Sequence, residues 1–157
     1  MRILVLLGAL MLVGCSSQES RVGRVFNLNT DFTLSVSAAE DINPNTRDEP
    51  APVFIRLYEL RSPDAFARAD FIELYERDQN VLGDSLVNRR QLSRVAPTEL
   101  REYEMVLDRE TRYVGILAEF YQYDDATYKL VVPVTAKNVF RDRLWIRISG
   151  NTITQVH

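Results

Sequence analysis

Val53-Phe54-Ile55-Arg56-Leu57-Tyr58-Glu59-Leu60 is the stretch on which the fold turns. Val53, Ile55 and Leu57 share one face, and Phe54, Arg56 and Tyr58 share the other. A period of two in β-branched and aromatic residues reads as a strand. Immediately before it, residues 40–52 contain Asn43-Pro44-Asn45, Arg47-Asp48-Glu49 and Pro50-Ala51-Pro52. Asn-Pro initiates turns and each proline lacks a ladder donor, so this segment is a long connection with no strand or helix of its own. Before that connection, Phe32-Thr33-Leu34-Ser35-Val36-Ser37-Ala38 alternates again and predicts a first, half-buried strand. Val25-Phe26-Asn27-Leu28 is apolar enough to extend it but does not decide the matter.

On the other side of the central stretch the period changes. Ser62-Pro63-Asp64 has the form of a helix start, with Ser62 at the N-cap and Pro63 at the first helical position. Phe66, Phe71, Leu74 and Tyr75 then predict a helix running to about Tyr75, its aromatic stripe packed on a sheet. Asp78-Gln79-Asn80 and Gly83-Asp84 read as its interruption. Further strands are predicted around Leu86 to Val95 (a basic edge), Tyr103 to Leu107, Tyr113 to Tyr121 (nearly all apolar, hence central), Tyr128 to Pro133 and Leu144 to Ile148. Gly150-Asn151 is a two-residue turn into Thr152 to Val156. Seven or eight short strands with one helical insertion after the second, and no helices between most strands, describe an all-β, two-sheet sandwich.

The chain has 157 residues, a formal charge of −3 and one cysteine. That cysteine, Cys15, follows Leu12-Val13-Gly14. Ahead of it lie Arg2 and an apolar run about half the ~20 residues of a membrane-spanning helix. The pattern is that of a signal peptide ending in a lipobox: residues 1–14 are removed, Cys15 is acylated (palmitate among the expected chains), and residues 15–24 form a polar tether. What remains, residues 25–157, is the size of one domain. A mildly acidic chain lacks the basic footprint of a nucleic-acid binder. With its only cysteine lipidated, the domain must be stabilised by its apolar core.

Catalytic machinery is not legible. The single histidine, His157, is the last residue, so a serine nucleophile would lack a base. No His/Cys spacing suits a metal, and no glycine-rich loop precedes a helix. The carboxylates Asp41, Asp48, Glu49 and Asp124-Asp125 could loosely bind a cation or work as acids, but adjacent carboxylates in turns are usually solvated turn residues. A binding role places the interest in residues 40–52. Asp41, Ile42, Asn43, Pro44, Asn45, Arg47, Asp48 and Glu49 offer an apolar side chain, paired amide groups and charges of both signs, on a segment whose freedom its prolines limit. Ile42 fits two roles equally, a partner contact or a plug beneath the loop.

Several features now coincide: the lipobox and tether, the strand into Asn43-Pro44, Pro50 to Leu60, the insert with Phe66, Ala69-Asp70-Phe71 and Leu74-Tyr75, then Tyr113 to Ala118 and Ile146-Arg147-Ile148-Ser149-Gly150-Asn151. This order resembles the TssJ family (also SciN or VasD), outer-membrane lipoproteins of type VI secretion systems. Two positions depart from the family's habit: Pro97-Thr98 stands where Pro-Gly is common, and Tyr128 where a tryptophan is. The resemblance implies a transthyretin-like sandwich without enzymatic activity or cofactor, apart from the lipid on Cys15. It implies anchoring in the outer membrane on its periplasmic face, consistent with Ser16 after the cysteine. The implied partner is the C-terminal periplasmic region of TssM, in a complex with TssL, and the implied contact is the loop between the first two strands. The competing reading is a periplasmic lipoprotein binding module, an inhibitor or ligand carrier, on the same sandwich.

Overall fold

The central stretch forms β2 (Phe54–Leu60), which lies between β3 (Leu86–Gln91) and β5 (Tyr113–Glu119). This is a computed structural model, and it describes residues 31–134 and 142–156. The signal peptide, Cys15, the tether, residues 25–28, most of the loop before β7 and His157 lie outside the described residues. The remaining strands are β1 (Asp31–Ala38), β4 (Leu100–Val106), β6 (Lys129–Pro133), β7 (Asp142–Ser149) and β8 (Thr152–Val156). They make two four-stranded sheets, ordered β4-β1-β7-β8 and β3-β2-β5-β6. β1 pairs antiparallel with β4 and parallel with β7; the other pairings between these strands are antiparallel. Pro133 ends β6, an edge strand, where its missing N–H costs no ladder bond.

The core between the sheets is built from the faces that alternation marks. Phe32, Leu34, Val36 and Ala38 of β1 meet Ile55 and Leu57 of β2, Val114, Ile116 and Ala118 of β5, and Leu144, Ile146 and Ile148 of β7. One expectation changes. Thr33 and Ser35, on the outer face of β1, are as buried as the core residues. They lie in register between Glu104 and Glu102 on β4 and Arg143 and Trp145 on β7, and Ser35 donates to Glu102 at 2.9 Å. A central strand of small polar residues becomes a trough under its taller neighbours.

Glu59, on the core-facing side of β2, is fully buried where the pairing with β3 shifts register. Its carboxylate accepts from Asn88 (2.9 Å), Arg90 (2.9 Å), the Asp108 amide (2.7 Å) and Thr111 (3.0 Å). A buried carboxylate is tolerable only with such a full set of donors. Arg90 also donates to the Val106 carbonyl at 2.9 Å, which ties β3 to β4 of the opposite sheet.

The insertion after β2 packs on the outer face of the second sheet, but not as one helix. It breaks into α1 (Asp64–Arg68), α2 (Phe71–Glu76) and α3 (Asp78–Leu82), with a 3-10 turn at Gly83–Ser85. Pro63 already has helical dihedrals (φ −81°, ψ −17°). The predicted continuous helix fails at Ala69-Asp70, because Asp70 caps α2: its carboxylate accepts the Glu73 amide while Glu73 reaches back to the Asp70 amide. That reciprocal pair is a capping box, a helix start inside the predicted helix. Asp78, expected to interrupt, begins α3 instead. Phe66, Phe71 and Leu74 are buried with Tyr58, Leu60, Leu82 and Leu117, whereas Tyr75, assigned to the same stripe, is 48% exposed.

Polar anchors fix this insert to the sheet. Arg56 donates to the Leu74 and Tyr75 carbonyls at the end of α2 (3.0 and 3.1 Å), to Asp78 (3.2 Å) and to Glu119 (2.7 Å). Tyr58 Oη lies 3.1 Å from both the Leu74 carbonyl and Asp78, and Arg89 adds two bonds to Asp78 at 2.9 and 2.8 Å. The Lys129 ammonium donates to the Phe66, Ala67 and Ala69 carbonyls at the end of α1, where a helix favours a cation.

Candidate functional site

Residues 40–52 leave the end of β1 and return to β2 without regular structure, yet nearly every turn of the loop is tied down. Ile42 is fully buried in the inter-sheet core, which decides its two open roles in favour of the plug. Its carbonyl accepts the Ala51 amide at 3.1 Å, closing the base of the loop. Asn43 is 1% exposed and has φ +48°, a left-handed conformation that asparagine tolerates. Its Nδ2 donates to the Pro52 carbonyl at 2.8 Å, its Oδ1 accepts the Tyr121 amide at 2.8 Å, and its own amide donates to the Gly150 carbonyl at 2.9 Å. One asparagine thus joins both arms of the loop to the end of β5 and to the β7–β8 turn.

Beyond Pro44 the loop folds on itself. The Asn45 side-chain oxygen accepts the Arg47 amide (2.8 Å) and the Glu49 amide (3.2 Å), while its Nδ2 donates to Glu49 Oε2 (3.0 Å). Gln122 donates to the Pro44 and Asn45 carbonyls. Arg47 and Glu49 pair at 2.9 Å with their side chains 76% and 56% exposed, and Asp48 lies exposed between them. Asp41, also exposed, accepts from Ser149 at 3.3 Å.

The eight loop residues singled out from sequence therefore divide. Ile42 and Asn43 hold the loop from within, Pro44 and Asn45 are half-buried, and Asp41, Arg47, Asp48 and Glu49 face solvent. Among the described residues no cluster of His, Cys, Asp and Glu suits a metal ion, and no helix is long and apolar enough to cross a membrane.

Sequence reasoning missed a surface beside the loop. Phe54 (48% exposed), Ile72 (38%), Tyr75 (48%) and Tyr121 (65%) surround an open cleft of ≈ 410 Å³ whose edge includes Asn43 and Pro52. The Phe71 ring stacks on Tyr123 (centroids 4.2 Å apart) and on Tyr75 (5.7 Å), and Tyr128 meets it edge-on at 5.2 Å. The available signal was Phe54, an aromatic on the face of β2 opposite the inter-sheet core. Its exposure depends on where the insert stops, which no local pattern states.

The β-sandwich that carries this loop is one that known proteins share. The family model of the type VI secretion lipoproteins (VasD, EvfM, TssJ; T6SS-SciN) matches residues 30–151. The chain belongs to this family. It is 33% identical to the T6SS lipoprotein TssJ1 from Pseudomonas aeruginosa, covering 82% of this chain and 95% of that one, with a TM-score of 0.73. It is 25% identical to Serratia marcescens Lip, described as a membrane bound component of the type VI secretion system, covering 82% and 97%, with a TM-score of 0.74. A chain in the structure described as the T6SS protein TssM C-terminal domain from EAEC shares the fold at 22% identity, covering 81% and 98%, with a TM-score of 0.68. No curated protein sequence is significantly similar to this chain. Membership in the TssJ family makes it a secretion-system lipoprotein and a sandwich of known type. In that light Pro97-Thr98 gains a physical meaning. Thr98 has φ +65°, a conformation suited to glycine and costly for a β-branched residue.

Proposed function

We propose that this protein is anchored to the outer membrane through acylated Cys15, faces the periplasm, and binds the C-terminal periplasmic region of TssM, tethering the TssM–TssL assembly to that membrane. The observation that carries the reading is the loop of residues 40–52. Its base is buried and bonded through Ile42 and Asn43, and its tip presents Arg47, Asp48 and Glu49 to solvent. A loop held in one shape loses little conformational freedom on binding, and exposed charges of both signs favour a matched protein partner over a uniformly charged surface. Family membership supports the reading, as does the recurrence of the fold in a structure described by the name of TssM. The protein does no chemistry in this scheme: acyl chains hold the membrane at one end and the loop holds the partner at the other. Two acyl chains or more suffice for stable anchoring.

Co-purification of the full-length protein with the TssM periplasmic region tests this directly. The expected result is a stable complex from wild type and a Cys15→Ser protein that still binds TssM but leaves the membrane fraction and no longer supports secretion. Absence of binding by the wild-type protein, or full secretion by Cys15→Ser, refutes the proposal.

A further inference from the structure

The aromatic cleft next to the loop is large, preformed and unaccounted for by the loop tip. Phe54, Ile72, Tyr75 and Tyr121 expose apolar surface together, and contiguous exposure of this kind marks an interaction site more often than chance. The Tyr123–Phe71–Tyr75 stack makes one wall rigid. Aromatic walls of this sort supply contact area at low entropic cost and dominate binding hot spots.

The exposed charges that line it are acidic, with two paired cations behind its rings: Arg56 lies 5.5 Å over Tyr75 and Lys129 5.9 Å over Tyr128. Glu76 and Glu119 line the cleft. A second cleft of ≈ 350 Å³ continues from it through the shared residues Phe71, Ile72 and Tyr123, and adds Asp70 and Asp124. Among the described residues no lysine or arginine lines either cleft. Arg56 lies below, its side chain 11% exposed and occupied by Asp78, Glu119 and the end of α2. The complement of an acidic, aromatic groove is a chain that brings apolar anchors and positive charge.

Resting on the function proposed above, we infer that the groove receives an extended segment of the same partner, carrying an aromatic or aliphatic anchor flanked by lysine or arginine. The anchor seats among Phe54, Tyr75 and Tyr121, and the flanking cations face Glu76 and Asp124. Loop and groove then act as one surface, hinged at Asn43 and Pro52, which belong to both.

The test measures the affinity of detergent-solubilised full-length protein for the TssM C-terminal periplasmic region in two double variants, Phe54→Ala/Tyr121→Ala and Glu76→Lys/Asp124→Lys. All four side chains are exposed, so thermal midpoints near wild type confirm intact folds. Each pair is expected to weaken binding roughly tenfold or more. Wild-type binding is expected to weaken between about 50 and 500 mM salt, and the charge-reversed pair to lose that dependence. Wild-type affinity in either folded variant overturns the inference and leaves the function standing. No binding by wild type overturns both. Self-association of the partner-free protein that Phe54→Ala/Tyr121→Ala abolishes assigns the groove to a second copy and also overturns it.

Discussion

The Asn43 carboxamide oxygen accepts the Tyr121 amide proton at 2.8 Å, across 78 positions of sequence. With its other end on the Pro52 carbonyl, Asn43 converts a proline-interrupted connection into a fixed feature of the sandwich. Asn43→Ala leaves buried backbone partners unsatisfied and should cost about 1–3 kcal/mol. Urea unfolding reads the loss. Faster hydrogen exchange confined to residues 40–52 and Tyr121 would locate it. A stability equal to wild type would show that the loop does not depend on this residue.

Arg47 and Glu49 are the contrasting case. Their pair is exposed, and such pairs contribute between about 0 and 1 kcal/mol. Arg47→Ala/Glu49→Ala should therefore leave the thermal midpoint nearly unchanged while weakening association with the TssM periplasmic region. Unchanged association in the folded variant would remove the loop tip from the contact.

Thr98 is the third residue of the turn Ala96-Pro97-Thr98-Glu99, closed by the Glu99 amide on the Ala96 carbonyl at 3.2 Å. Its φ of +65° suits the glycine that a type II turn prefers after proline. Removing the side chain relieves a left-handed penalty of roughly 1–2 kcal/mol, less the entropy glycine adds to the unfolded chain. Thr98→Gly should raise stability by about 0.5–1 kcal/mol in urea titration. A loss of stability would contradict the argument.

Gly115 gives way to a ring. A Cβ built there lies 3.0 Å from Phe66 Cζ and 3.1 Å from both Cε atoms, and Phe66 is itself fully buried against Tyr58, 5.3 Å away between centroids. Gly115→Ala should destabilise by about 1–3 kcal/mol through overpacking. Adding Phe66→Leu should recover part of the loss, since it shortens the group that the new methyl meets. Failure of that rescue would place the strain elsewhere.

Asp78 governs the acid response of the insert. Burial raises its carboxyl, but the hydrogen bonds from Arg89 and Tyr58 outweigh that and hold it below the usual carboxylate range. A depressed folded-state pKa favours folding above the unfolded value of about 3.9 and stops doing so as pH falls through the folded value. Stability should therefore decline below about pH 4. Asp78→Asn should start less stable at neutral pH and decline less steeply, measured by urea midpoints across that range. Equal slopes for the two proteins would exclude Asp78 as the source.

Alternation placed strands such as β1 and β2, because a half-buried strand writes its two faces into adjacent residues, while the short, nearly all-apolar run Tyr113 to Tyr121 was legible from its length and composition. The insert was harder. Asp70 and Glu73 look like ordinary solvated charges within an amphipathic pattern, and only their mutual bonding reveals a helix start. For the loop, Ile42 and Asn43 drew notice as unusual residues, but burial reverses the role that accessible groups would play. Phe54 and Tyr121 went unnoticed because each belongs to a strand pattern or its end, 67 residues apart in the chain and side by side only in the sandwich.

Local chemistry settled the fold class, the prolines and asparagines of the loop and the turn at Gly150-Asn151, since each depends on dihedral preferences and periodicity within a few residues. The pairing of β1 with β7, the division of the loop into buried base and exposed tip, and the aromatic groove came from the folded chain. They depend on contacts between distant segments, whose energies are set by register and packing that no neighbouring residues encode.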